Sequence, residues 1–339
     1  MIVDATRLRD GRLEAKICII GSGMGGASVA KKLIEAGLDV LFVEAGASTP
    51  RSGEAPVQHQ IVGREFGVPT TRALEVGGGT NLWHGICARF DPIDFEARRW
   101  IAHSGWPIGA RDLEPYYDEA LEWLGVGAAP KEGVAPNVTD HDVLVSKAFW
   151  TCRRPARMKD AVLRWTRAGQ ARCVVNAVAL RLDTDAAGAV RSLVVGRRDG
   201  TIEVRAEVFI IAAGALETPR LLLNSARTAA GPFRASAAHV GRYLMDHPVG
   251  YFSQLVFHAP QAAAFGPPVT DLRQLAGFAL APELQRRFGF PNHYVFVRPG
   301  VSAAKAPNEL LRNLLAVRGI RALSPRRLLP ALSSPYVLQ

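Results

Sequence analysis

Gly21-Ser22-Gly23-Met24-Gly25-Gly26 stands between an apolar run, Ile17-Cys18-Ile19-Ile20, and a stretch of helical pattern from Ala27 to Ala36. Glycines at this spacing expose main-chain amides to a bulky anion, which is the chemistry of holding a pyrophosphate. Gly21 and Gly23 would serve the tight turn and the close approach, and Gly26 would let the helix lie against the strand. The free N–H groups of the helix start then face the anion. Glu44 ends the next apolar run, Val40-Leu41-Phe42-Val43. A carboxylate there can accept hydrogen bonds from ribose hydroxyls, and its charge speaks against a 2′-phosphate and so against NADP.

A second glycine cluster, Gly77-Gly78-Gly79-Thr80-Asn81, leads into Leu82-Trp83-His84-Gly85. Its uncovered amides and the polar groups of Thr80 and Asn81 suit a second part of a phosphate-bearing cofactor, although a loop without ligand would read the same. A third segment, Val208-Phe209-Ile210-Ile211-Ala212-Ala213-Gly214, reads as a central buried strand ending in small residues that a cofactor could approach.

The elements that must position these groups follow from periodicity. Val29, Leu33 and Ile34 form the expected core face of the first helix, with Lys31, Lys32 and Glu35 outward and Gly37 as its stop. Residues 112–124 are expected as one helix capped by Asp112, packed through Leu113, Tyr116, Tyr117, Ala120 and Leu124. Short β-rich runs at 173–175, 177–182, 190–195 and 202–208, with turns at Asp185–Gly188 and Asp199-Gly200, predict a small antiparallel meander. Thr218 is the expected cap of a helix that has Pro219 at its first position. Residues 50–69 read as a long loop or strap.

Composition narrows the function classes. With 339 residues the chain can bury a sizeable core. No apolar stretch is long enough to cross a bilayer, and no secretory signal is recognisable at the start, so a cytoplasmic protein is expected. Cys18, Cys87, Cys152 and Cys173 form no C-x-x-C pair, which points to reduced packing residues and no metal site. The net charge of +10 is spread along the chain, apart from Arg153-Arg154, Arg197-Arg198 and the last 35 residues. Without interleaved aromatics this indicates solvated faces and no nucleic acid. Leu310, Leu311, Leu314, Leu315 and Ile320 could form an apolar stripe beside Arg312, Arg318 and Arg321, read as a core helix in preference to a membrane-surface one.

Taken in order, GSGMGGASVAKKL with Glu44, the GGGTN loop, AAGALETPRLLLNS and VGRYLMDHP at 240–248 resemble the glucose-methanol-choline family of FAD-dependent oxidoreductases. The resemblance covers residues 15 to about 250. It implies an α/β fold: an FAD-binding, Rossmann-like parallel sheet with an antiparallel β-meander and a partial second, substrate-binding domain. It assigns 1–100 and 166–250 to the FAD-binding domain, 101–165 to a helical or loop segment of the substrate side, and 251–339 to an incomplete substrate domain with a basic tail. Cofactor contacts carry over to Gly21, Ser22, Gly23, Met24, Gly25 and Gly26 at the pyrophosphate, Glu44 at the ribose and Val178 beside the adenine. Gly78, Gly79, Thr80, Asn81, Ala213 and Gly214 would flank the diphosphate and flavin. Some sugar-oxidising relatives attach flavin through a histidine before a tryptophan, a position held here by Leu82, so non-covalent FAD is implied. His84 is a candidate pocket residue or a histidine bonded to backbone, and His247 a structural residue at a domain hinge.

The implied reaction removes two electrons from the CH–OH group of a sugar, polyol or other alcohol. A base takes the hydroxyl proton as a hydride passes to flavin N5, and an electron acceptor of unspecified kind follows. In relatives the base is a histidine near the C-terminus, which the resemblance places beyond Gln339, so an amino-terminal portion of the family pattern is expected. Three readings therefore stand: an FAD-dependent oxidoreductase, a non-catalytic FAD-binding module or half of a split enzyme needing a partner chain, and an NAD-dependent dehydrogenase.

Overall fold

The computed structural model describes residues 1–8, 11–48, 60, 62, 72–126, 142–151, 155–229, 234–235, 237–246 and 274–296. Most of the 50–69 strap, Cys152, Arg153-Arg154, His247 and the apolar and basic stretch from 305 onward lie outside the described residues. The strands are β1 (Ile2–Asp4), β2 (Arg12–Ile20), β3 (Val40–Val43), β4 (Ile86–Cys87), β5 (Leu144–Thr151), β6 (Ala171–Val175), β7 (Val178–Thr184), β8 (Val190–Arg197), β9 (Gly200–Ile211), β10 (Gln274–Leu280) and β11 (Val295–Phe296). The helices are α1 (Met24–Glu35), α2 (Pro92–Phe95), α3 (Ala110–Leu113), α4 (Tyr117–Trp123), α5 (Met158–Arg167), α6 (Gly214–Ala226) and α7 (Pro282–Phe288).

The chain divides into two compact units, residues 1–83 with 157–247 and residues 84–156 with 248–339. The first holds a seven-stranded sheet in the order β1-β6-β3-β2-β9-β8-β7. Pairing is parallel from β1 through β9, then antiparallel through β8 and β7. The last four residues of β2 and all four of β3 are buried, as a strand covered on both faces requires. Cys18, Ile20, Leu41, Val43, Val174, Leu182, Leu193, Val204 and Leu221 share one core. A fully buried Leu or Ile there contributes about 1.5–3 kcal/mol.

Several sequence expectations change in this unit. The run 173–175 is no part of the meander: β6 lies between β1 and β3, parallel to both, because Cys173 pairs in register with Phe42 and Ile2. The run 202–208 and the start of the run 208–214 are one twelve-residue strand, β9, which pairs with β8 over residues 200–205 and with β2 over residues 203–211. Its Val208 is 49% exposed, so this end is less buried than a central strand predicts. In α1 the buried face is Gly26, Ala27 and Ala30, while Val29 is 40% exposed. Small residues let the helix axis approach the strands, with Leu33 and Ile34 half-buried beside them. Helix α6 starts at Gly214, not at Thr218, with Pro219 inside it. The helix loses one ladder bond at that proline, and Ser225 anchors its far end by donating to Leu221 O and accepting from Leu182 N–H.

The second unit carries an antiparallel four-stranded sheet, β11-β10-β5-β4. Gly277 of β10 lies against the Phe149 ring, which in turn packs 4.6 Å from Tyr294. Asp91 and Asp94 at the start of α2 accept from the Asn292 amide at 2.8 and 3.0 Å, and Lys147 pairs with Asp91. The helix expected over 112–124 is broken into α3, a 3-10 turn and α4. Gly109 caps it, Asp112 accepts the Gly109 N–H, and Pro115 interrupts the ladder. Leu121 is its buried residue, whereas Tyr116 is 64% exposed. Among the described residues no helix is long and apolar enough to cross a membrane.

Candidate functional site

The first glycine loop closes the β2–α1 turn at the carboxyl end of the parallel strands. Gly21 has φ +101°, in the left-handed region that favours glycine, and its N–H donates to Val43 O. A Cβ on Gly21 would lie 2.4 Å from Ala212 O, so the end of β9 sits directly against this turn. Gly23 precedes α1 as its N-cap and supplies no side chain to the helix amides. Those amides are left to a ligand or to water.

The second loop meets the first. Gly78 approaches Gly23 so closely that a Cβ on it would stand 3.1 Å from Gly23 Cα. Gly77, at φ +93°, is held on both sides: its N–H donates to Ser22 Oγ at 3.0 Å, and its carbonyl accepts the Thr80 hydroxyl at 2.6 Å. Thr80 Oγ1 also accepts from Met158 N–H at the start of α5. The Thr80 side chain is therefore buried and already used, and the Asn81 amide is turned onto Val76 O. What this loop can offer a ligand is chiefly main chain, with the side of Gly79 where a Cβ would project open to 4 Å. Arg157 reinforces the loop by donating to Thr80 O and Trp83 O.

Glu44 is only 6% exposed and turned under the first loop. Its Oε2 accepts from Ser22 N–H at 3.1 Å and from the Ser22 hydroxyl at 2.5 Å, and Oε1 accepts from Gly46 N–H at 2.9 Å. Burial pushes this carboxyl above its ordinary range, more strongly than the bonds from Ser22, Gly46 and Ala45 pull it down. A ribose hydroxyl would meet the lone pairs left over. The adjoining main chain is tied to the start of β7, with Asn176 N–H on Gly46 O and Ala177 N–H on Glu44 O, both at 3.0 Å. Val178 follows immediately.

The structure thus gathers Gly21 to Gly26, Glu44, Gly78 to Thr80, Val178 and Ala213 within one unit, and Gly214 continues from Ala213 with its Cβ side open to 4 Å. His84 is exposed and falls in the second unit. Sequence reasoning missed Gly46 and Arg157, and named Ala212 only among the small residues that end its strand. A glycine two residues beyond the strand-end acid was the available signal for the first.

The other titratable groups nearby are structural. Glu217 on α6 accepts from Arg72 at 2.8 Å and from Arg220 at 2.5 Å, and Arg220 also donates to Ala179 O. Burial raises its carboxyl, but the two guanidiniums outweigh that and hold it below the ordinary value. Burial pushes the Cys18 thiol up to about 12 and raises Cys173 as well, which keeps both protonated and unreactive. Cys18 and Cys173 are free thiols.

The model of the FAD dependent oxidoreductase family matches residues 16–289. Paromamine 6'-oxidase of Streptomyces fradiae is 29% identical across 77% of this chain and 58% of its own length. 2-Methyl-1,2-propanediol dehydrogenase of Mycolicibacterium austroafricanum is 26% identical across 90% of this chain and 71% of its own. An uncharacterised GMC-type oxidoreductase of Mycobacterium tuberculosis (strain ATCC 25618 / H37Rv) is 31% identical across 62% of this chain and 39% of its own. The chain therefore spans little more than half the length of the first of these relatives. A family match running through the glycine loops, the meander and β10 shows that the chain belongs to the FAD dependent oxidoreductases, in their glucose-methanol-choline group.

Proposed function

We propose that this chain holds FAD non-covalently where Gly21–Gly26, Glu44, Gly78–Asn81, Val178 and Ala213-Gly214 converge, and that it oxidises the CH–OH group of an alcohol, polyol or sugar. The observation that supports this most directly is the approach of three distant segments: Gly78 against Gly23, and Ala212 against Gly21. Uncapped amides at the start of α1 would face the pyrophosphate, and the remaining lone pairs of Glu44 the ribose. Bound FAD supplies the two-electron acceptor. The chain's own part is to orient the cofactor, exclude water and fix main-chain dipoles around it. Relatives named for paromamine and for a propanediol support a hydroxyl-bearing substrate.

The test is direct. The purified chain mixed with FAD and passed through gel filtration is expected to stay yellow, and anaerobic addition of the right member of an alcohol, polyol and sugar panel is expected to bleach it. Absence of retained flavin would refute the cofactor site, and flavin that no substrate bleaches would refute catalysis by this chain alone, in favour of a binding module.

Leu82 carries no nucleophile, which yields a separate expectation. Acid precipitation of the yellow protein should release all flavin to the supernatant. Flavin remaining with the pellet would contradict non-covalent binding.

A further inference from the structure

We infer that Ser22 is a positioning residue of the cofactor site, whose hydroxyl locks the second glycine loop to Glu44 and so sets the spacing of the two loops. This rests on the FAD reading of the site. Ser22 is 0% exposed. Its Oγ–H donates to Glu44 Oε2 at 2.5 Å while Oγ accepts Gly77 N–H at 3.0 Å, and its own N–H donates to the same carboxylate oxygen at 3.1 Å. A hydroxyl is the small side chain that can donate to a carboxylate and accept an amide proton at once. The chain of bonds therefore runs from the second loop, through Ser22, to Glu44 and on to Gly46 N–H.

Gly77 has no alternative seat on its other side. A Cβ placed on it would stand 2.6 Å from Lys159 N, so α5 already blocks movement that way, and the Thr80 hydroxyl fixes its carbonyl. Removing the Ser22 hydroxyl leaves the Gly77 amide unpaired in a buried place and takes a donor from Glu44. The loop then relaxes away from Gly23, and the cradle widens where the dinucleotide would lie.

The experiment uses the full chain. FAD affinity is measured by quenching of flavin fluorescence for the wild type, Ser22→Ala, Glu44→Gln and the double variant, with hydrogen exchange of the apo chain read on the peptide spanning residues 74–82. Ser22→Ala is expected to weaken FAD about ten-fold or more. The double variant is expected to lose less than the product of the two single losses, because both act through one chain of bonds. Exchange at 74–82 should rise while that of β2 and α1 stays unchanged. Should Ser22→Ala fail to fold, Ser22→Cys, with its weaker donor and acceptor, replaces it and is expected to show the same effects in smaller measure.

Equal FAD affinity for wild type and variant, or losses that multiply independently, would overturn the inference. A wild type that binds no FAD would instead refute the cofactor reading, and the exchange of the apo chain would still decide whether Ser22 holds the loop.

Discussion

Replacing Gly46 by alanine is expected to destabilise the nucleotide end of the first unit and to abolish flavin retention. A Cβ at this position would stand 1.9 Å from Leu74 O, 2.1 Å from its carbonyl carbon and 2.4 Å from Glu75 N, all main-chain atoms that no rotamer change can move aside. The segment is also pinned from the other directions. Gly46 N–H donates to Glu44 Oε1, Gly46 O accepts from Asn176 N–H, and Ala47 bridges to Glu75. Relief of the clash must break one of these ties, so the cost falls at or beyond the upper end of overpacking, about 3 kcal/mol. Set against a total stability of roughly 5–15 kcal/mol, that is a large share. Gly26→Ala belongs to the same class, since its Cβ would meet Gly21 O at 2.1 Å. Gly79→Ala is the control, because nothing lies within 4 Å of a Cβ there. Urea unfolding of the three variants checks the order. A Gly46→Ala midpoint matching that of Gly79→Ala would show that the close approach at Leu74 is absent in solution.

Gly46 also marks where sequence reading runs out. The β2–α1–β3 unit was legible because its signals are local: four apolar residues, glycines at fixed spacing, a helical pattern and an acid at the next strand end. The turns of the meander were legible for the same reason, with Asp185 accepting from Ala187 and Ala189 N–H and Gly200 at φ +118°. Misreadings arose where a partner far along the chain decides. Val175 looks like the first meander strand until β1 and β3 are found on either side of β6. Thr218-Pro219 looks like a helix start until Glu217 is seen bridging Arg72 and Arg220 one turn inside α6. In the site, residue types were readable and directions were not. Thr80 and Asn81 were expected to face a ligand, yet their polar groups are drawn onto Gly77 O and Val76 O by the tight turn itself. Glu44 reads as a ribose acceptor, and the inward turn that Ser22 and Gly46 impose on part of its carboxylate is not visible in the sequence.

That inward turn gives the second large expectation, a pH dependence with opposite signs at two carboxylates. Burial holds Glu44 above its ordinary 4.5, so the folded chain keeps a proton that the unfolded chain has released. As pH rises from 4.5 toward the folded value, stability is lost at up to about 1.4 kcal/mol per pH unit, and the loss stops once the folded carboxyl has ionised. Glu217 is held below 4.5, so its contribution is complete above that pH and is lost as pH falls through its folded value. Urea unfolding at closely spaced pH values separates them. Glu44→Gln should gain on the wild type with rising pH only above 4.5, whatever its absolute offset, and Glu217→Gln should differ in slope only below it. A wild-type to Glu44→Gln difference that stays flat from pH 4.5 to 8 would mean that the carboxylate is solvated rather than buried under the glycine loop. The same variant should bind FAD about ten-fold or more weakly, because its amide turns a donor toward the N–H groups of Ser22 or Gly46 where the carboxylate accepts. Stability and cofactor affinity would then move in opposite directions above pH 4.5, as expected of a buried acid kept for its ligand and not for the fold.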